Sequence, residues 1–397
     1  MKEIYLDNAA TTSCEGQVLK AMQPYWSKIY GNPSSFNDAG REAKKALDQA
    51  RKKIAILLGA RSHELFFISS ATEANNLAIF GAAKKAGKKN HIIATTIEHH
   101  SVLEPMKELE KNGFDITYLP VNKEGVISPD ELRKSIKVET FLISIIYANN
   151  EIGSVQPIKK ISKIVREFKE KRLYLHVDAA QAQSHLDLNV NNLGVDLMTL
   201  SSHKIHGPKG VAALYVRRGT ELEPSFYGGG QEQGLRSSTE AVPLIAGFAK
   251  ALELTKTSQE LRIRNQEKLR NHFISGLKKV FPEVKINGPE NPKDRVPHIL
   301  SATFNGIESE QMLLYLDKHG IRASAGSACA SKEIEPSHVL RAIGLSKEEA
   351  HSTVRFSFSR FTSKSEIDYL LKVLPKIVSK IQRIYPEEMR KQYYIRH

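Results

Sequence analysis

Asp178 and Lys204 each close an apolar run: Asp178 ends YLHVD, and Lys204 lies in SSHKIHGPKG just after Val195, Leu197, Met198 and Leu200. A carboxylate at the end of a buried strand is costly unless a cation or a hydrogen-bond donor meets it. A lysine that acts as a nucleophile at neutral pH must be desolvated or set beside another cation before it can lose its proton. Their separation is about one strand-to-strand unit, so the two can converge at one sheet edge. An acid facing a ring nitrogen and a lysine able to form an imine are the two protein groups that pyridoxal phosphate requires.

Other polar residues fall at similar places. Ser69-Ser70-Ala71-Thr72-Glu73 joins a strand-like run to a helical pattern, where backbone N–H groups and the Thr72 hydroxyl can face an anion or simply cap the helix. His99, after another run, has a pKa suited to moving protons and a ring suited to stacking. His99, His100, His203 and His206 lack the HExxH or His/Cys spacing of a closed metal site, so no metal is expected.

The elements that must position these residues alternate. Ala43, Ala46, Leu47, Ala50, Ile54, Leu57 and Leu58 recur at helical steps before Gly59, a helix stop. Strands are predicted at Leu65–Ser69, His91–Thr95, Phe141–Tyr147, Tyr174–Val177, Val195–Leu200 and Val211–Val216. This alternation argues for an α/β fold with a mainly parallel sheet covered on both faces, ligands binding beyond the strands' carboxyl ends. From about residue 260 the pattern changes to a long amphipathic helix (Leu269, Phe273, Leu277, Val280), strand His298–Phe304, helix Ser309–His319, a loop around Cys329, strand Thr353–Ser359 and a final helix. That helix opens with Ser363 and Glu366 at capping-box spacing. The expected division is a large domain over 16–258 and a smaller α+β domain over 259–397, on which the segment 1–15 packs.

With 397 residues the chain can fill two cores. No apolar run is long enough to cross a bilayer and the N-terminus has no leader character, so a cytoplasmic protein without membrane contact is expected. Cys14 and Cys329 are too far apart to suggest a disulfide framework or a metal pair. The net charge of +14 is spread over helical stretches with acids interspersed; this describes a basic surface, and no direct nucleic-acid binding is expected.

Ten stretches, in order, carry a resemblance: YLDNAATT, GNPSS, ATEANNLAI, EHHSVLEP, NNEIG, HVDAAQ, SSHKIHGPKG, GGGQEQGLRSSTE, SAGSACAS and VRFSFSRFT. Together they resemble the landmark set of cysteine desulfurases of the NifS/IscS type, class V aminotransferase relatives among the fold-type I pyridoxal phosphate enzymes, from residue 5 to about 370. The resemblance implies a seven-stranded, mainly parallel sheet and the cofactor pyridoxal 5'-phosphate. Lys204 would link to the cofactor and shuttle a proton, Asp178 would hold the pyridine nitrogen, Gln181 the ring hydroxyl, and His99 would stack on the ring. Ala71, Thr72, Ser201 and His203 would take the phosphate, with Thr239 reaching the phosphate of the neighbouring subunit of a homodimer. Asn150 and Arg355 would hold the carboxylate of L-cysteine.

Cys329 sits among small residues, which predict a mobile loop and not a buried sulfur. Its implied role is to take the substrate sulfur as a persulfide, releasing L-alanine. The sulfur would pass to an iron-sulfur scaffold protein or another acceptor, for cluster assembly or tRNA thiolation, with a cluster transiently at Cys329. Cys14 matches no nucleophile of the family. Ser202, Ser238, Ser359, Asn37 and Gln233 depart from the common pattern. A transaminase or selenocysteine lyase would share Lys204 and Asp178 but has no comparable use for Cys329; a silent scaffold would use none of them.

Overall fold

The structure, a computed structural model, describes residues 3–168, 172–257, 259–326 and 336–384. The chain opens with a short strand β1 (Ile4–Tyr5), followed by β2 (Leu65–Ile68), β3 (His91–Thr95), β4 (Asp115–Leu119), β5 (Thr140–Ile146), β6 (Tyr174–Asp178), β7 (Leu197–Ser201) and β8 (Ala212–Val216). Strands β2 to β8 form one seven-stranded sheet in the order β2-β8-β7-β6-β5-β3-β4. The neighbours from β7 across to β4 are parallel, and β8 runs antiparallel to both β7 and β2. Strand β8 can reverse because it follows β7 after a short turn, whereas the parallel neighbours are separated by crossover connections.

The side chains alternate across the sheet as period two demands. Ile93, Ile143, Ile145, Leu175, Val177 and Met198 enter one core, and Ile92, Ala94, Leu142, Leu197 and Leu214 another on the opposite face. Six of these seven strands lie where the apolar runs place them. Strand β4 was not among them, and its pattern explains why: Asp115 is exposed, Ile116 to Tyr118 are half-buried and only Leu119 is buried. An edge strand of this kind has no continuous apolar run.

The helix Asp38–Leu58 buries the predicted stripe, including Ala43, Leu47, Ala50 and Ile54. The Asn37 side chain caps it by accepting the Gly40 N–H at 2.9 Å, and Gly59 ends it at φ 66°, in the left-handed region.

Beyond residue 258 come β9 (Lys285–Asn287), β10 (Ile299–Thr303), β11 (Ile321–Arg322) and β12 (Thr353–Ser357). Three of them form an antiparallel sheet, β12-β10-β9, while β11 pairs in parallel with β1. Their core takes Phe273 and Leu277 from the helix Gln259–Val280, Leu370, Leu374 and Ile377 from the helix Lys364–Ile384, and Leu6 from the N-terminal segment. The capping box forms: Glu366 Oε2 accepts the Ser363 N–H at 2.8 Å, and the Glu366 N–H reaches Ser363 Oγ at 3.4 Å. Val280 leaves the expected apolar stripe and is 39% exposed at its helix end.

Candidate active site

The strand order sets β3, β5, β6 and β7 side by side, so the residues after their carboxyl ends share one rim. Asp178, the last residue of β6, is 4% exposed, and both of its oxygens are engaged. Oδ2 accepts from Asn75 Nδ2 at 2.8 Å and Oδ1 from the Ala180 N–H at 2.9 Å. The costly strand-end carboxylate is thus met by two N–H donors.

Lys204 ends the short turn Ser202–Lys204 that follows β7. Its Nζ donates to the carbonyls of Ala9 at 2.6 Å and Ala10 at 2.8 Å. Gln181 Nε2 also donates to Ala9, at 2.8 Å. The segment after β1 therefore lies against the lysine, tied down by Thr12, whose hydroxyl donates to the His203 carbonyl at 2.8 Å.

His99 precedes the helix His100–Lys111 and caps it, Nδ1 accepting the Ser101 N–H at 3.1 Å. Both Asp178 and Lys204 act on its charge: burial lowers its pKa most, Asp178 opposes that, and Lys204 reinforces it. His203 is pushed down to about 4 by burial and by Lys204 and Lys209, so it is neutral near pH 7.

Ser70, not Thr72, caps the helix Ala71–Lys85, its Oγ accepting the Glu73 N–H at 3.1 Å. The amides of Ala71 and Thr72, in the first turn, have no intrahelical acceptor and remain suited to an anion. Ser201 is 1% exposed and its Oγ is a buried hydroxyl without a partner among the described residues. An orphaned hydroxyl, first-turn amides, a two-donor carboxylate and a lysine on one rim fit a phosphorylated pyridine cofactor.

Arg355 lies in β12, 2% exposed, and reaches across to this rim. It donates to the Asn150 carbonyl at 2.9 Å and pairs with Asp7 Oδ1 at 2.8 Å, its Nε remaining unpartnered among the described residues. Asn150 and Arg355 are therefore brought together, through the Asn150 backbone. Thr239 is exposed and, among the described residues, makes no hydrogen bond with this group. Cys329 lies outside the described residues. Cys14 is half-buried against the core, and burial raises its thiol pKa.

Sequence reasoning missed Asn75, Ser101 and Asp7, and it placed Glu98 beyond a strand end without giving it a role. Asn75 carried a signal: it stands one helical turn after Ala71 in a helix whose neighbouring Ala74 and Ala78 are buried, so a polar side chain there needs an inward partner. Glu98 is fully buried, and burial pushes its carboxyl up to about 8 although Thr95 and the Ile146 N–H bond to it. Ser202, one of the departures from the family pattern, is buried, and its hydroxyl has no partner among the described residues. A Cβ on Gly207 would lie 2.2 Å from that hydroxyl, so the serine fits only beside glycine.

This fold and this rim define a fold-type I pyridoxal phosphate enzyme. The chain belongs to the aminotransferase class-V family, whose profile it matches over residues 4–370. It is 46% identical to the cysteine desulfurase IscS of Dictyoglomus turgidum over 386 residues, 97% of each chain. Among solved structures it resembles a NifS-like protein, with a TM-score of 0.89 and 38% identity over 95% of this chain and 100% of that one. It also resembles SspA in complex with cysteine, with a TM-score of 0.78 and 37% identity over 91% of this chain and all of the other.

Proposed function

We propose that this protein is a cysteine desulfurase that converts L-cysteine to L-alanine and keeps the sulfur as a persulfide on Cys329. The observation that carries the reading is the convergence of Asp178 and Lys204 on His99 at the rim of a sheet whose chain aligns along nearly its whole length with cysteine desulfurases. Pyridoxal phosphate, when bound, supplies an electrophilic carbon for the substrate amine and an electron sink.

The protein's own residues do the rest. Asp178 holds the pyridine nitrogen, Gln181 the ring hydroxyl, and Ala71, Thr72, Ser201 and neutral His203 the phosphate. Lys204 would hold the cofactor through its side-chain nitrogen and would move the substrate α proton. Arg355 and Asn150 orient the substrate carboxylate, the arginine with donors left over from Asp7. The Cys329 thiolate attacks the substrate sulfur: an S–S bond forms, the Cβ–S bond breaks, its electron pair stays on carbon, and protonation there gives alanine.

The larger unit, 16–258, carries the cofactor site, and the smaller unit, 259–397, brings Arg355 and Cys329 to it; the segment 1–15 packs on the smaller unit through Ile4 and Leu6 and on the larger through Ala9 and Thr12. Two chains form a homodimer in which Thr239 serves the neighbour's phosphate, and the acceptor of the sulfur is an iron-sulfur scaffold or a thiolation partner in the cytoplasm. No helix among the described residues is long and apolar enough to cross a membrane.

The test is to follow alanine and sulfide release from L-cysteine and to weigh Cys329 by mass spectrometry. The wild type should gain one sulfur atom at Cys329. Cys329→Ala should lose at least about 100-fold in turnover, since the nucleophile is gone. An undiminished rate in that variant would exclude the persulfide route.

A further inference from the structure

We propose that Asn75 and Ser101 are positioning residues that hold His99 as the tautomer with its proton on Nε2, so that His99 faces its ligand as a hydrogen-bond donor. This rests on the placement of His99 over the cofactor ring for its use, but not for its geometry.

The argument follows from which groups can donate. The Ser101 backbone N–H, 3.1 Å from His99 Nδ1, can only donate, so Nδ1 accepts. The Ser101 hydroxyl lies 2.8 Å from the same nitrogen. Asn75 Nδ2 lies 2.8 Å from Ser101 Oγ and 2.8 Å from Asp178 Oδ2. An amide nitrogen donates both of its hydrogens, so the Ser101 oxygen accepts from Asn75 and directs its single proton to His99 Nδ1. Turning the Asn75 amide over would set its oxygen against the Asp178 carboxylate, so Asp178 fixes the amide and, through it, the hydroxyl and the imidazole.

Helix capping alone accounts for the bond from the Ser101 amide. It does not account for an asparagine, fully buried in a different helix, that spans Ser101 and Asp178. Asn75, Ser101 and Asp178 are all buried, so water does not easily replace a missing link. The charges facing His99 are Asp178 from β6, which favours its cation, and Lys204, His100 and His338, which oppose it. Burial adds to the opposition. A proton added at Nδ1 would break both bonds from Ser101, in line with that direction.

The experiment is long-range proton–nitrogen correlation NMR on the full chain as purified, labelled with nitrogen-15 histidine, with His99 assigned by its loss in His99→Gln. The expected spectrum shows a bare Nδ1 and a protonated Nε2. Ser101→Ala and Asn75→Leu should each leave Nδ1 held by the Ser101 backbone N–H alone, weakening the preference for the Nε2 tautomer and raising the His99 titration midpoint, and Ser101→Thr, which keeps the hydroxyl, should restore both. A proton on Nδ1 in the wild type overturns the proposal, as does an unchanged tautomer and midpoint in folded Ser101→Ala. The wild-type spectrum decides even if Asn75→Leu does not fold. A bare Nδ1 in a protein that fails to turn over cysteine would refute the functional reading alone; a protonated Nδ1 in an active enzyme would refute only this one.

Discussion

Asp178 and Glu98 are both buried carboxylates on the same rim, one at the end of β6 and the other just past β3, and the protein treats them oppositely. Each oxygen of Asp178 receives an N–H, one from a side chain and one from the backbone. Glu98 receives the Thr95 hydroxyl at 2.6 Å and the Ile146 N–H at 2.9 Å on one oxygen, and the other is buried without a partner among the described residues. Asp178 itself helps to keep Glu98 protonated, at about 8, although burial contributes most. Burial does not separate the two, and each receives two donors; what differs is their aim, one donor to each oxygen of Asp178 and both to a single oxygen of Glu98.

The largest expected effect is on catalysis. Asp178→Asn should lower cysteine turnover by about 100-fold or more, the scale of removing one preorganised electrostatic partner. Glu98→Gln, which copies the neutral acid, should stay within about tenfold of wild type. Equal losses in steady-state assays would erase the distinction between the two carboxylates.

A second effect is on stability against pH. Folded Glu98 keeps its proton up to about 8, whereas the unfolded chain releases it near 4.5. Between those values the folded state binds more protons, so stability falls as pH rises, by up to ~1.4 kcal/mol per pH unit. Denaturant titrations at pH 5 and pH 8 should show this slope in the wild type and a flatter one in Glu98→Gln.

The smallest effect concerns a hydroxyl with no donors aimed at it. Ser202→Ala should stabilise the protein by ~1 kcal/mol, because it removes a buried, unpartnered polar group. A lower denaturation midpoint would mean that the Ser202 hydroxyl has a partner in the working enzyme.

Much of this site was legible in the sequence because apolar runs locate strands and the residue after a run locates the rim. Asp178, Lys204 and His99 were found that way. Strand β4 was not, since a half-exposed edge lacks the run. The seat of Lys204 was not legible either, because the carbonyls of Ala9 and Ala10 carry no residue identity. Asp7, paired with Arg355 from 348 residues away, offered no local pattern. Arg355 was read from its motif as a carboxylate holder, and only the fold shows that Asp7 and the Asn150 carbonyl already use part of its fork.

The pairing of β1 with β11 bears on how the enzyme is born. Ile4 and Tyr5 are synthesised long before their partners Ile321 and Arg322, and Asp7 is made 348 residues before the Arg355 that clasps it. Contacts of such long range are slow to close. The nascent chain thus carries β1 unpaired until β11 has been made, and the segment that seats Lys204 can be held by the Thr12–His203 bond before Arg355 can hold it through Asp7.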